Sequence, residues 1–125
     1  MNRTRSFIAC AALAGLLSLG ASLPAAAHAH LEKAVPSVGG TVADGPTEVR
    51  LTFSEPVEAK LSSIQLTRAD GSAVASGAAA DPADPKGLVL KLGKALANGV
   101  YKVRWKVISV DSHKIEGGFS FTVGN

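Results

Sequence analysis

Apolar and polar residues alternate with a period of two along most of the chain beyond residue 47. Between Glu48 and Phe53, Val49, Leu51 and Phe53 share one face, and Glu48, Arg50 and Thr52 share the other. Ser63 to Thr67 repeats the pattern with Ile64 and Leu66. Ala69-Asp70-Gly71-Ser72 then reads as a tight turn, with Asp-Gly as its signal. Leu88, Leu90 and Leu92 form a third alternating set. The longest signal is GVYKVRWKVI, residues 99–108. It puts Tyr101, Val103, Trp105 and Val107 on one face and Lys102, Arg104 and Lys106 on the other. The last strand is GFSFTV, with Phe119, Phe121 and Val123 inward and Ser120 and Thr122 outward. This period predicts antiparallel sheets with one wet side. The aromatic residues Phe53, Tyr101, Trp105, Phe119 and Phe121 are expected in the core.

The stretch between residues 73 and 87 is weaker. ASGAAADPADPKG has small residues and two Asp-Pro pairs, which predicts a loop with a short edge strand. GKALANG, residues 93–99, has room for one helical turn, and no longer helix is expected. There are no internal repeats. About seven short strands separated by Gly, Pro and Asp turns predict an all-β fold, a β-sandwich with Greek-key connections. A small barrel is the alternative.

The first 27 residues follow a different rule. Arg3 and Arg5 precede an apolar run, FIACAALAGLLSL, and then come Gly20, Pro24 and three alanines. A basic start, an apolar centre and a small-residue end make a secretory signal peptide. The run is short for a membrane span, which needs about 20 apolar residues. Small residues stand one and three positions before two candidate cuts. Ala25 and Ala27 give a mature start at His28, and Ala27 and Ala29 give a start at His30. Either cut leaves a histidine at the new N-terminus.

Export changes the picture of the remainder. Starting at His28 leaves 98 of the 125 residues, enough for one small core. Losing Arg3 and Arg5 lowers Lys+Arg from 13 to 11 against 10 acidic residues, so the formal charge drops from +3 to +1. The basic balance belongs largely to the leader, and no Lys/Arg run marks a nucleic-acid footprint. The one cysteine, Cys10, lies in the leader, so the mature domain is held by its core without disulfides.

The chain has three histidines: His28, His30 and His113. Two stand at or beside the predicted mature start, and the third lies in VDSHK, two residues after Asp111. In an extended backbone, residues i and i+2 point to the same side, so Asp111 and His113 would face one ligand. A histidine at a free N-terminus adds an α-amine and an imidazole that can close a chelate ring. The amine titrates near pH ~7.7–8, so a metal can displace its proton at neutral pH. Nitrogen and oxygen donors in a tetragonal arrangement favour Cu(II), which also tops the affinity order of the first-row divalent ions. Zinc would take the same donors more weakly.

These residues carry a resemblance. HAHLEKAVPSVGG at the start, VRLTFSEPVE in the middle and GVYKVRWKVISVDSHKIEGGFSFTV at the end resemble the CopC family of periplasmic copper-binding proteins, including its YobA-like members. The last segment is the most specific: a Tyr-x-Val-x-Trp strand, then Ser-x-Asp-x-His, then a glycine and a Phe-rich strand. The resemblance implies an immunoglobulin-like or cupredoxin-like Greek-key sandwich over residues 28–125. It also implies a Cu(II) site of one ion, held by the amine and side chain of His28 and by Asp111 and His113. The family's spacing from the histidine to Leu31 and Pro36 selects cleavage between Ala27 and His28. Glu55, in FSEP, is drawn in as a hydrogen-bond partner beside the copper, and His30 as a solvated or auxiliary residue. The resemblance further implies a monomeric periplasmic carrier, not an enzyme, with a CopD-like inner-membrane copper transporter as partner. Some members add a methionine-rich Cu(I) site. Here the one methionine is Met1, which leaves with the leader, so thioether ligation of Cu(I) is not carried over. Two other readings are a histidine-brace copper oxidative enzyme and a metal-free exported structural sandwich.

Overall fold

The protein is described here by a computed structural model covering residues 30–124. Within them the chain forms nine strands: β1 (Leu31–Val35), β2 (Thr41–Val42), β3 (Glu48–Phe53), β4 (Ser63–Arg68), β5 (Ala73–Gly77), β6 (Ala79–Asp81), β7 (Asp84–Lys91), β8 (Gly99–Ile108) and β9 (Lys114–Val123). A single 3₁₀ turn, Ala59–Leu61, precedes β4. One sheet has the order β1-β3-β7-β6 and the other β2-β9-β8-β4-β5. All pairings are antiparallel except β2 with β9. The chain passes from one sheet to the other after β1, β2, β3, β5 and β7, which makes an immunoglobulin-like Greek-key sandwich and not a barrel. Among the described residues no helix is long and apolar enough to cross a membrane.

The alternation in β3, β4 and β8 becomes the core. Val49, Leu51 and Phe53 of β3 have no exposure, and they cluster with Ile64, Leu66, Val103 and Val107 of the opposite sheet, equally buried. Each such side chain contributes about 1.5–3 kcal/mol on burial. The Asp-Gly turn forms after β4. Gly71 adopts φ +89° and donates to the Arg68 carbonyl, and Asp70 accepts from the Ser72 N–H at 2.9 Å.

Several elements differ from the sequence pattern. The weak stretch holds two edge strands, β5 and β6, one at the edge of each sheet. Val89 is buried along with Leu88 and Leu90, because β7 runs between β3 and β6 and Val89 stands between Arg50 and Ala79. Strand β9 begins at Lys114, ahead of GFSFTV, because its pairing with β8 continues to Ile108 opposite Lys114. GKALANG makes no helical turn; Leu96 is buried, and the Tyr101 hydroxyl donates to the Ala97 carbonyl at 2.7 Å. Trp105 and Phe119 are half-buried at the edge of the core, with ring centres 6.0 Å apart. Opposite Trp105 stands Gly117, where a Cβ would lie 2.3 Å from the indole. The glycine makes room for the indole without covering it.

Candidate metal centre

Strands β8 and β9 are joined by residues 109–113, and that turn carries two of the expected ligands. Ser109 N–H donates to the His113 carbonyl at 2.9 Å, and Ser112 N–H donates to the Ser109 carbonyl at 2.9 Å. Ser112 has φ +72°, the only positive φ at a non-glycine among the described residues. A tight turn closed by one left-handed residue is a common hairpin connection, with glycine usual at that position. Asp111 and His113 are therefore brought together by a turn, whereas the i, i+2 spacing had predicted an extended backbone.

The two side chains do meet. His113 Nδ1 lies 3.3 Å from Asp111 Oδ1. That is long for an N–H···O bond. Donors each about 2.0–2.1 Å from a shared ion would be 3.3 Å apart at an angle of about 105–110°. Buried Ser109 fixes this pair from beneath. Its hydroxyl donates to Asp111 Oδ1 and accepts the His113 backbone N–H at 3.2 Å. The Ser109 hydrogen bond, with a smaller contribution from His113, holds the Asp111 carboxyl below the usual carboxylate range. Asp111 is thus anionic at neutral pH, as a ligand must be.

Glu55 completes a cluster. The segment after β3 is stitched to the end of β8. Glu58 N–H donates to the Ile108 carbonyl at 2.8 Å, Val110 N–H donates to the Pro56 carbonyl at 3.1 Å, and Val57 bridges to Ser109. This brings Glu55 to the turn, where one ligating atom from each of Glu55, Asp111 and His113 lies within 4.8 Å of the others. Oxygen Oε1 of Glu55 is buried with no hydrogen-bond partner. An unsatisfied buried acceptor costs about 1–3 kcal/mol, more if charged. A cation among two carboxylates and an imidazole removes that cost, and this mixture of oxygen and nitrogen donors suits a divalent first-row metal.

The remaining candidates stand differently. His28 lies outside the described residues. His30 is exposed and is not part of the three-residue cluster. Its main chain is nonetheless tied beside it: His30 N–H donates to Ser54 Oγ and Ser54 N–H donates to the His30 carbonyl, both at 2.9 Å. Ser54 is the neighbour of Glu55, so the chain entering β1 starts next to the cluster. Ser109 was not legible as a site residue. Its one signal is its place in Ser-x-Asp-x-His, and serine is too common for that to stand out.

This geometry can be set beside known proteins. The CopC domain matches residues 31–124, covering β1 to β9. The chain belongs to the CopC family. It is 35% identical to copper resistance protein C of Escherichia coli over 120 residues, 90% of this chain and 94% of that one. The crystal structure of CopC from Methylosinus trichosporium OB3b superposes with a TM-score of 0.72 at 38% identity, covering 77% of this chain and 93% of that one. A more distant match is the copper transport protein CutJ of Bacillus subtilis, 29% identical over 78% of this chain but only 18% of CutJ. In this CopC-family chain the Asp-x-His turn and the FSEP segment converge at one end of the sandwich.

Proposed function

We propose that this protein is a periplasmic Cu(II) carrier serving copper resistance or uptake. It is a copper-binding protein by family, and the cluster of Glu55, Asp111 and His113, with its buried and unpartnered Glu55 oxygen, is the observation that carries the reading. In this reading a leader is removed between Ala27 and His28. The new α-amine and the imidazole of His28 chelate one Cu(II) ion together with Asp111 and His113. Glu55 stands beside the ion, and His30 has an auxiliary place.

The tie between His30 and Ser54 supports this arrangement. His30, two residues on from His28 in the sequence, has its main chain bonded next to Glu55. The mature chain has no cysteine and no methionine, so its donors are nitrogen and oxygen, which suits Cu(II) and not Cu(I). The reading is of carriage without turnover, in keeping with relatives named for copper resistance and copper transport. In this reading the recipient is an inner-membrane copper transporter of the CopD type; the match to a segment of CutJ, named a copper transport protein, supports a role in transport and no more. The carrier acts as a monomer.

Titration of residues 28–125 with Cu(II) against a competing chelator tests the reading. Binding of one ion per chain, falling sharply in Asp111→Ala and His113→Ala, is the expected result. Equal affinity in those two variants would overturn it.

A further inference from the structure

The outer face of the five-stranded sheet carries a feature that copper binding does not use. Lys102, Arg104 and Lys106 project from β8 at every second residue, and all three are exposed. None of them is in an ion pair among the described residues. Their cross-strand neighbours explain why. Lys102 stands between Thr67 and Ser120, and Arg104 between Gln65 and Gly118. Only Lys106 faces a carboxylate, Glu116, which is already bonded to Lys114 at 3.1 Å. With a formal charge of only +1 on the mature chain, this concentration of cations is a strong local polarity.

The face is also hollow. Gly118 leaves no side chain beside Arg104, and a cleft of 470 Å³ opens there, lined also by Ser63, Gln65, Lys106 and Glu116. A second hollow of 640 Å³ shares Arg104 and Gly118 and continues past Lys102 and Ser120. Together they form a lane along β8. Lys106, at one end, is three residues from Ser109, so the lane ends about 10 Å from the copper turn.

We propose that this lane is the docking face for an extended acidic segment of the protein that exchanges copper with the carrier. Carboxylates at alternate positions of an extended chain repeat at about 6.8 Å, the same spacing as Lys102, Arg104 and Lys106. Ser63, Gln65 and Thr67 line one side and offer hydrogen bonds to its backbone. A single row of cations at this repeat matches an extended chain more specifically than the surface of a bilayer. Identifying the partner as the copper recipient rests on the carrier function; the acidic docking itself does not.

The probe is a blocked peptide of four Asp-Ser repeats, added to the copper-free mature protein and followed by backbone amide NMR. Shifts confined to residues 102–106 and 117–120 are expected. The double variant Lys102→Gln/Arg104→Gln should weaken binding about tenfold, as should raising salt from about 50 to about 500 mM. Vesicles of phosphatidylglycerol are the comparison. Absence of shifts on this face, binding unchanged in the double variant, or binding to the vesicles without binding to the peptide would each overturn the proposal. Copper titration of the same double variant should match the wild type. Failure of the wild type to bind copper would count against the carrier function and leave the peptide result standing.

Discussion

The hydroxyl of Ser109, a buried side chain, donates a hydrogen bond to Oδ1 of Asp111, a residue exposed at the tip of the same turn. The same hydroxyl oxygen accepts the backbone N–H of His113. One core residue thus holds the carboxylate of Asp111 and the main chain of His113.

Ser109→Ala removes both contacts and leaves the His113 N–H without its side-chain acceptor. A loss of about 1–3 kcal/mol in copper-free stability is expected in urea melts. Copper affinity should fall about 10–100-fold, the usual effect of losing a group that orients ligands. Ser109→Thr keeps the hydroxyl and should recover most of the affinity.

Ser112 is held in the left-handed region between the two proposed ligands. That conformation costs a residue with a Cβ about 1–2 kcal/mol, and glycine's extra chain entropy is about 0.5–1 kcal/mol. Ser112→Gly should therefore raise copper-free stability by up to about 1.5 kcal/mol, seen as a higher urea midpoint with an unchanged slope.

Gly117 faces the indole of Trp105, and a Cβ there would meet ring atoms at 2.3 Å. Gly117→Ala must move the ring or the strand, with an expected cost of about 1–3 kcal/mol. Trp105 is the only tryptophan, so a shift in fluorescence reports the displacement directly.

How far the sequence spoke follows from what each residue touches. Strands β3 and β8 could be read with their boundaries, because one face of each is core and the other is wet. The start of β9 could not. Lys114, Glu116 and Gly118 carry no apolar signal, and β8 recruits them by pairing. Asp111 and His113 were legible from their spacing, though the turn that joins them was not, since serine seldom takes the left-handed place of glycine. Glu55 entered by resemblance alone. Its proximity depends on the bridge from Val57 to Ser109, a contact between distant parts of the chain that no local pattern encodes.

The lowered pKa of Asp111 sets a pH window. A carboxyl whose folded pKa is depressed adds stability above its unfolded pKa, near 3.9, and loses it as pH falls through the folded value. In the copper-free protein, the stability difference between wild type and Asp111→Asn should be constant from neutral pH down to about 5 and shrink below about 4. Ser109→Ala, which removes the largest cause of the shift, should flatten that dependence. Denaturant midpoints across the pH range provide the check.

The most direct measurement compares two mature proteins that differ only at the start. One begins at His28; the other keeps Ala27 before it, so that the amine of His28 becomes a peptide nitrogen. Competitive Cu(II) titration, with electron paramagnetic resonance of the bound ion, should give one tightly bound copper in the first. The second should bind much more weakly, with a changed copper spectrum. Equal affinity and identical spectra in the two would contradict ligation by the amine, and with it the claim that leader cleavage creates the site.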